Sequence, residues 1–120
     1  MTRLLVHLST GPENPTRAAL AFLAARSALA KGHEVDLFLA GDAVGLLRAS
    51  TMELVQGIGT GSLGEHYAAL AAGGARFFAS GMSSKARDVT PEAVAGKTIE
   101  FAPPDRLVEL VFEADRVLSY

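Results

Sequence analysis

The chain has 120 residues, 49% of them hydrophobic, and a net charge of −2 from eleven Lys/Arg against thirteen Asp/Glu. That composition excludes intrinsic disorder and gives no electrostatic case for nucleic acid or an anionic membrane, while the length predicts a single domain over residues 1–120. The absence of cysteine excludes disulfides, zinc-thiolate and iron–sulfur sites and thiol catalysis. No apolar stretch approaches a membrane span of roughly 20 residues, and Met1-Thr2-Arg3 runs straight into a strand-like segment, so a cytoplasmic protein is expected.

Leu4 to Leu8 is a short apolar run closed by Ser9-Thr10-Gly11-Pro12, the pattern of a strand covered on both faces. Asn14-Pro15 predicts an N-cap and a first-turn proline, opening a helix from about Thr16 to Lys31 that stops at Gly32. Glu34 to Leu39 is the second strand, which completes a βαβ unit. Asp42 to Arg48 reads as a short helix capped by Asp42. Ser50 to Gly61 carries no clear pattern. Ser62-Leu63-Gly64-Glu65 fits a capping box, and the helix it opens ends at Gly73-Gly74. Ala75 to Ala79 is the third strand. The turn Ser80-Gly81-Met82 leads into a short helix through Arg87, and Thr90-Pro91 opens another. Thr98 to Phe101 is the fourth strand, Pro104 starts a helix ending near Glu113, and Arg116 to Ser119 closes as the fifth strand.

Five strands alternating with helices predict an α/β fold: a flavodoxin-like open sheet of mainly parallel strands with helices on both faces, in the order 2-1-3-4-5. Between Ala18 and Ala30 only Arg26 and Ser27 are polar, so the first helix is either deeply covered or pressed against another subunit. In the order 2-1-3-4-5 the ligand crevice falls between the loops after strands one and three. Ser9, Thr10 and Gly11 would line one side, and Ser80, Gly81, Ser83, Ser84, Lys85 and Arg87 the other. Hydroxyls, helix-start amides and two cations suit a small anion there. The plainer reading is that the serines cap a helix and the cations face water.

The stretch Ser80-Gly81-Met82-Ser83-Ser84-Lys85-Ala86-Arg87 resembles the loop of the DsrE/DsrF-like (YchN-related) family, whose common form is Cys-Gly-x-Cys-x-x-Ala-Arg-Gly. The opening strand, the Lys31-Gly32-His33-Glu34-Val35 turn and the break at Gly41 extend the likeness. The resemblance implies an α/β domain that assembles into dimers, trimers or hexamers and belongs with intracellular sulfur-relay proteins, several of them sulfurtransferases. In this sequence Ser80 stands where the sulfur-carrying cysteine is found, Ser83 stands at the second cysteine, and Asp88 replaces the closing glycine. A serine hydroxyl cannot become a persulfide, so no catalytic residue is assigned and no cofactor is expected. The reading is a non-catalytic binding or partner subunit, self-associating, with a sulfur-carrier protein as the candidate partner. Its rivals are a small-anion or small-molecule module at the crevice and a cysteine-independent enzyme using Ser80.

For that last rival, His7 and His66 are the available bases, but Ser80 lacks a G-x-S-x-G setting. His7 reads as a core histidine with a hydrogen-bond partner and His33 as solvated. The histidines lack metal-ligand spacing. Gly57-x-Gly59-x-Gly61 lacks the context of a phosphate loop and reads as a mobile loop.

Overall fold

The computed structural model describes residues 2–120. In chain order the elements are β1 (Arg3–Leu8), α1 (Pro15–Ala30), β2 (Glu34–Leu39), a 3-10 helix (Gly41–Leu47), α2 (Ala49–Leu54), β3 (Gln56–Gly57), β4 (Gly61–Ser62), α3 (Leu63–Ala72), β5 (Arg76–Ser80), α4 (Gly81–Ala86), β6 (Ile99–Ala102), α5 (Pro104–Glu113) and β7 (Arg116–Ser119). The long strands form a five-stranded sheet in the order β6-β5-β2-β1-β7, every pair parallel, and β3 and β4 form a separate antiparallel ribbon.

This arrangement is the predicted open α/β sheet, with one correction. Numbering only the five sheet strands, the order is 4-3-2-1-5 and not 2-1-3-4-5. Each step from β1 through β2 and β5 to β6 moves the same way, so right-handed crossovers put the intervening segments on one face. The return from β6 to β7 puts α5 on the other. Local pattern cannot tell these orders apart, because each strand reads the same wherever it lies in the sheet.

Two cores follow from the pleat. Val6, Leu8, Val35, Leu37, Leu39, Phe77 and Ala79 face α1 and α3, where Phe22 lies against Phe77 at 6.2 Å between ring centroids. On the opposite face Leu5, Phe38, Phe78 and Ala102 meet Leu110, with Leu107 and Ala114 at the margin. A fully buried Leu or Phe contributes about 1.5–3 kcal/mol, so the first core is the main source of stability.

α1 is capped as its sequence predicts: the Asn14 side chain accepts a hydrogen bond from Arg17 N, and Pro15 is the first residue. Most of its apolar surface is spent within the chain. Ala18, Ala21, Phe22 and Ala25 enter the core, Ala19 lies against Gly57, and Leu29 abuts Gly73 after α3. Leu20 is its one large exposed apolar side chain among the described residues. What α1 leaves for the expected subunit contact is Leu20 together with half-buried Ala24 and Ala28.

Three local readings change. Asp42 does not cap the 3-10 helix, whose N-cap is Ala40, and its carboxylate turns instead to Arg87. Thr90-Pro91 opens no helix; residues 91–97 are successive turns pinned by buried Val94, with Thr90 Oγ1 accepting from Ala93 N. The glycine-rich stretch is a closed hairpin, with Gly59 at φ 74° and Gly61 at φ 79°, and Ile58 N donates to Thr16 Oγ1 on α1. Ser62 caps α3 by accepting from Glu65 N at 3.4 Å, which is the first half of the expected capping box.

Candidate functional site

β5 ends on Ser80, whose backbone at φ −56° and ψ 121° turns the chain out of the sheet. Its hydroxyl accepts from Ser83 N at 3.2 Å and so caps α4. Ser80 is level with Ala102 at the end of β6. The segment leaving β5 packs Val89 and Val94 into the α1 core, whereas α5, leaving β6, covers the opposite face. Two adjacent strands whose connections depart to opposite faces open a crevice at their carboxyl ends. The switch point thus lies at Ser80-Gly81 against Ala102-Pro103, between β5 and β6 and not between β1 and β5 as expected from the sequence.

The rest of the Ser80 loop is tied to the loop after β2. Ser83 Oγ accepts from Gly41 N at 2.8 Å. Arg87 Nε pairs with Asp42 Oδ1 at 3.2 Å, and its guanidinium also donates to the Ser83 carbonyl. Arg48 reaches across to donate to the carbonyls of Arg87 and Asp88 at 2.9 and 2.8 Å. Ser84 is 2% exposed with its hydroxyl unpartnered, while Lys85 is exposed. A Cβ on Gly81 would sit 3.6 Å from the Ala102 carbonyl oxygen, an ordinary contact, so space does not demand glycine there.

Ser9, Thr10 and Gly11 lie apart from Ser80 because β2 separates β1 from β5. Ser9 N and Oγ both donate to the Tyr120 carbonyl, at 2.9 and 3.4 Å, and Thr10 is half-buried. Gly11 is buried against the Asp42 carbonyl, where a Cβ would come within 2.2 Å of the oxygen. Gly41 and Asp42 therefore fill the space between the two predicted halves of the crevice. Sequence reading missed Gly41, Asp42 and Arg48, and strand order is the information that would have found them.

The histidines do not join Ser80. His7 faces the α5 side and meets Phe38 edge-on at 6.2 Å, and partial burial lowers its pKa. Among the described residues its side chain has no hydrogen-bond partner, in contrast to the partner expected of a core histidine. His66, on α3 and buried, bonds Thr60 O through Nε2 at 2.7 Å and Arg26 through Nδ1 at 3.3 Å, which locks the β3–β4 ribbon to the helices. His33 Nδ1 contacts Thr2 Oγ1. Among the described residues no group of three or more His, Asp or Glu could hold a metal ion.

At the opposite, amino end of the strands, Asp36 is fully buried between Arg3 and Arg76, each of which donates two hydrogen bonds to its carboxylate at 2.7–3.0 Å. Glu34 and Glu113 complete the cluster. The bonds to Asp36 raise the Arg76 pKa, partly offset by burial. These guanidinium forks have used their donors on protein carboxylates, so the cluster is a structural clasp.

The profile of the DsrE/DsrF-like family matches residues 2–120. The chain belongs to the DsrE/DsrF-like family. Among solved structures, the YchN protein of E. coli superposes with a TM-score of 0.78 at 15% identity, covering 100% of both chains. A conserved Bacteroides thetaiotaomicron protein of unknown function, BT1422, gives a TM-score of 0.70 at 16% identity, covering 98% of this chain and 94% of its own. Identities this low show the shared fold alone. No curated protein sequence matches.

Proposed function

We propose that this DsrE/DsrF-like domain is a cytoplasmic, self-associating binding or partner subunit of the sulfur-relay type that does not itself carry sulfur. The observation behind this reading is Ser80: it ends β5 where the family motif has its cysteine, and its hydroxyl is engaged in capping α4. A hydroxyl is too weakly acidic to attack sulfane sulfur at neutral pH, and the sequence supplies no thiol elsewhere. The crevice between Ser80-Gly81 and Ala102-Pro103 is the proposed contact for a sulfur-carrier protein. A small anion is the weaker occupant, since Arg87 is committed to Asp42 and the Ser83 and Gly41 amides to serine hydroxyls. Hydrolysis through Ser80 is weaker still, because neither His7 nor His66 reaches it.

The test is exposure to a persulfide donor followed by mass spectrometry. Wild-type protein should gain no sulfur. Ser80→Cys places a thiol at the head of α4 and should gain one reducible sulfur faster than Ser50→Cys at the exposed start of α2. Sulfur uptake by the wild-type chain would overturn the proposal.

A further inference from the structure

We infer that β7 is a self-pairing edge, through which two copies of this chain join antiparallel into one continuous sheet. The inference rests on the self-association proposed above and names its surface.

β7 is the outer strand beside β1, and all four of its residues are exposed. Its one charged residue is Arg116, at its start, and no proline interrupts it. The other edge strand, β6, carries Glu100 paired with Arg106 and runs at once into Pro103-Pro104. β7 carries Val117 and Leu118, each 41% exposed. Level with Leu5, Val117 lies on the α5 face; level with Val6, Leu118 lies on the α1 face.

Each of these residues continues an apolar surface. On the α5 face a single helix packs, leaving Val117 open and turning Val108, Val111 and Phe112 outward, Phe112 being 85% exposed. On the α1 face, Leu118, Leu4, Ala24 and Ala28 line an open groove of about 640 Å³ together with Lys31, Asp115 and Arg116. The backbone is poised as well. Tyr120 N donates to the His7 carbonyl and the Tyr120 carbonyl accepts from Ser9 N. Alternation along the strand then turns the amide and carbonyl of Leu118 toward β1 and those of Val117 and Ser119 outward.

A two-fold axis through Leu118, perpendicular to the sheet, pairs Val117 of one copy with Ser119 of the other, so both exchange backbone hydrogen bonds. It also stacks Leu118 on its mate. The same axis keeps both α5 helices, with their outward apolar side chains, on one face of the joined sheet. An extended peptide would satisfy the edge amides but leave Val111 and Phe112 bare. A second copy answers the edge and both apolar faces together, as a self-complementary two-fold interface does.

Val117→Pro and Ser119→Pro test this, because each removes an outward N–H and leaves pairing to β1 untouched. Light scattering of the wild type across the micromolar range should give a multiple of 12.5 kDa. Each proline variant, with unchanged far-ultraviolet dichroism, should fall to half that mass or less. Should a variant fail to fold, amide exchange on the wild type serves instead: Val117 and Ser119 should be protected when associated and exchange freely on dilution. Unchanged mass in folded variants, or unprotected amides in the associated protein, would overturn the β7 interface and leave self-association standing. A monomeric wild type would overturn both.

Discussion

His7 shows how one side chain's position sets a solution property. It lies on the α5 face of β1 against Phe38, and partial burial favours the neutral imidazole, lowering its pKa below the ordinary 6.5. Below about 6.5 the unfolded chain then binds a proton that the folded chain resists, so stability falls as pH drops through that point and is fully present above it. His7→Phe keeps a ring beside Phe38 and removes the titration. Thermal melts of both proteins between about pH 8 and 5 should show the wild type losing more stability on acidification than the variant. Parallel curves would mean that His7 does not contribute. Asp36 is legible at this scale only in retrospect: an aspartate within an apolar strand signals a buried partner, but that Arg3 and Arg76 supply it follows from register.

At the scale of elements, the sequence was most readable where punctuation is chemical. Asn14-Pro15, Ser62 and the glycines after α1 and α3 set helix ends because caps and left-handed turns have few alternatives. Reading failed where tertiary contacts decide, as in the 56–62 hairpin, held by His66 and Thr16, and the turns of 91–97. The Ser80 loop was found by its residues, but its companions Gly41 and Asp42 were not, since only the observed strand order brings them beside it. Contact between the loops after β1 and β2 makes Gly11 the sensitive point. Gly11→Ala would drive a methyl into the Asp42 carbonyl and should destabilise the domain by about 2 kcal/mol or more. At Gly45 a Cβ meets nothing within 4 Å, so Gly45→Ala should be near neutral or stabilising. Denaturant midpoints of the two variants check this, and equal shifts would show that the loop yields easily.

At the scale of the whole molecule, the order β6-β5-β2-β1-β7 places β2 at the centre of the sheet, with every residue from Val35 to Leu39 buried. α1 and α3 load most of the apolar burial onto one face, and α5 alone serves the other. Such asymmetry predicts unequal opening. β2 amides lose their partners only when both neighbouring strands leave, so their exchange should follow global unfolding. β7 is held by β1 alone, with exposed side chains on both faces, and α5 sends a single buried residue, Leu110, into the smaller core. In dilute protein, native-state hydrogen exchange should therefore show β7 and α5 opening together at a lower free energy than β2. Concentrating the protein should raise their protection toward that of β2 without changing β2 itself, because a second copy stabilises only the elements it touches. If β7 and α5 were already as protected as β2 in the dilute monomer, the smaller core would be sufficient alone, and the exposed edge would lose its energetic reason to pair.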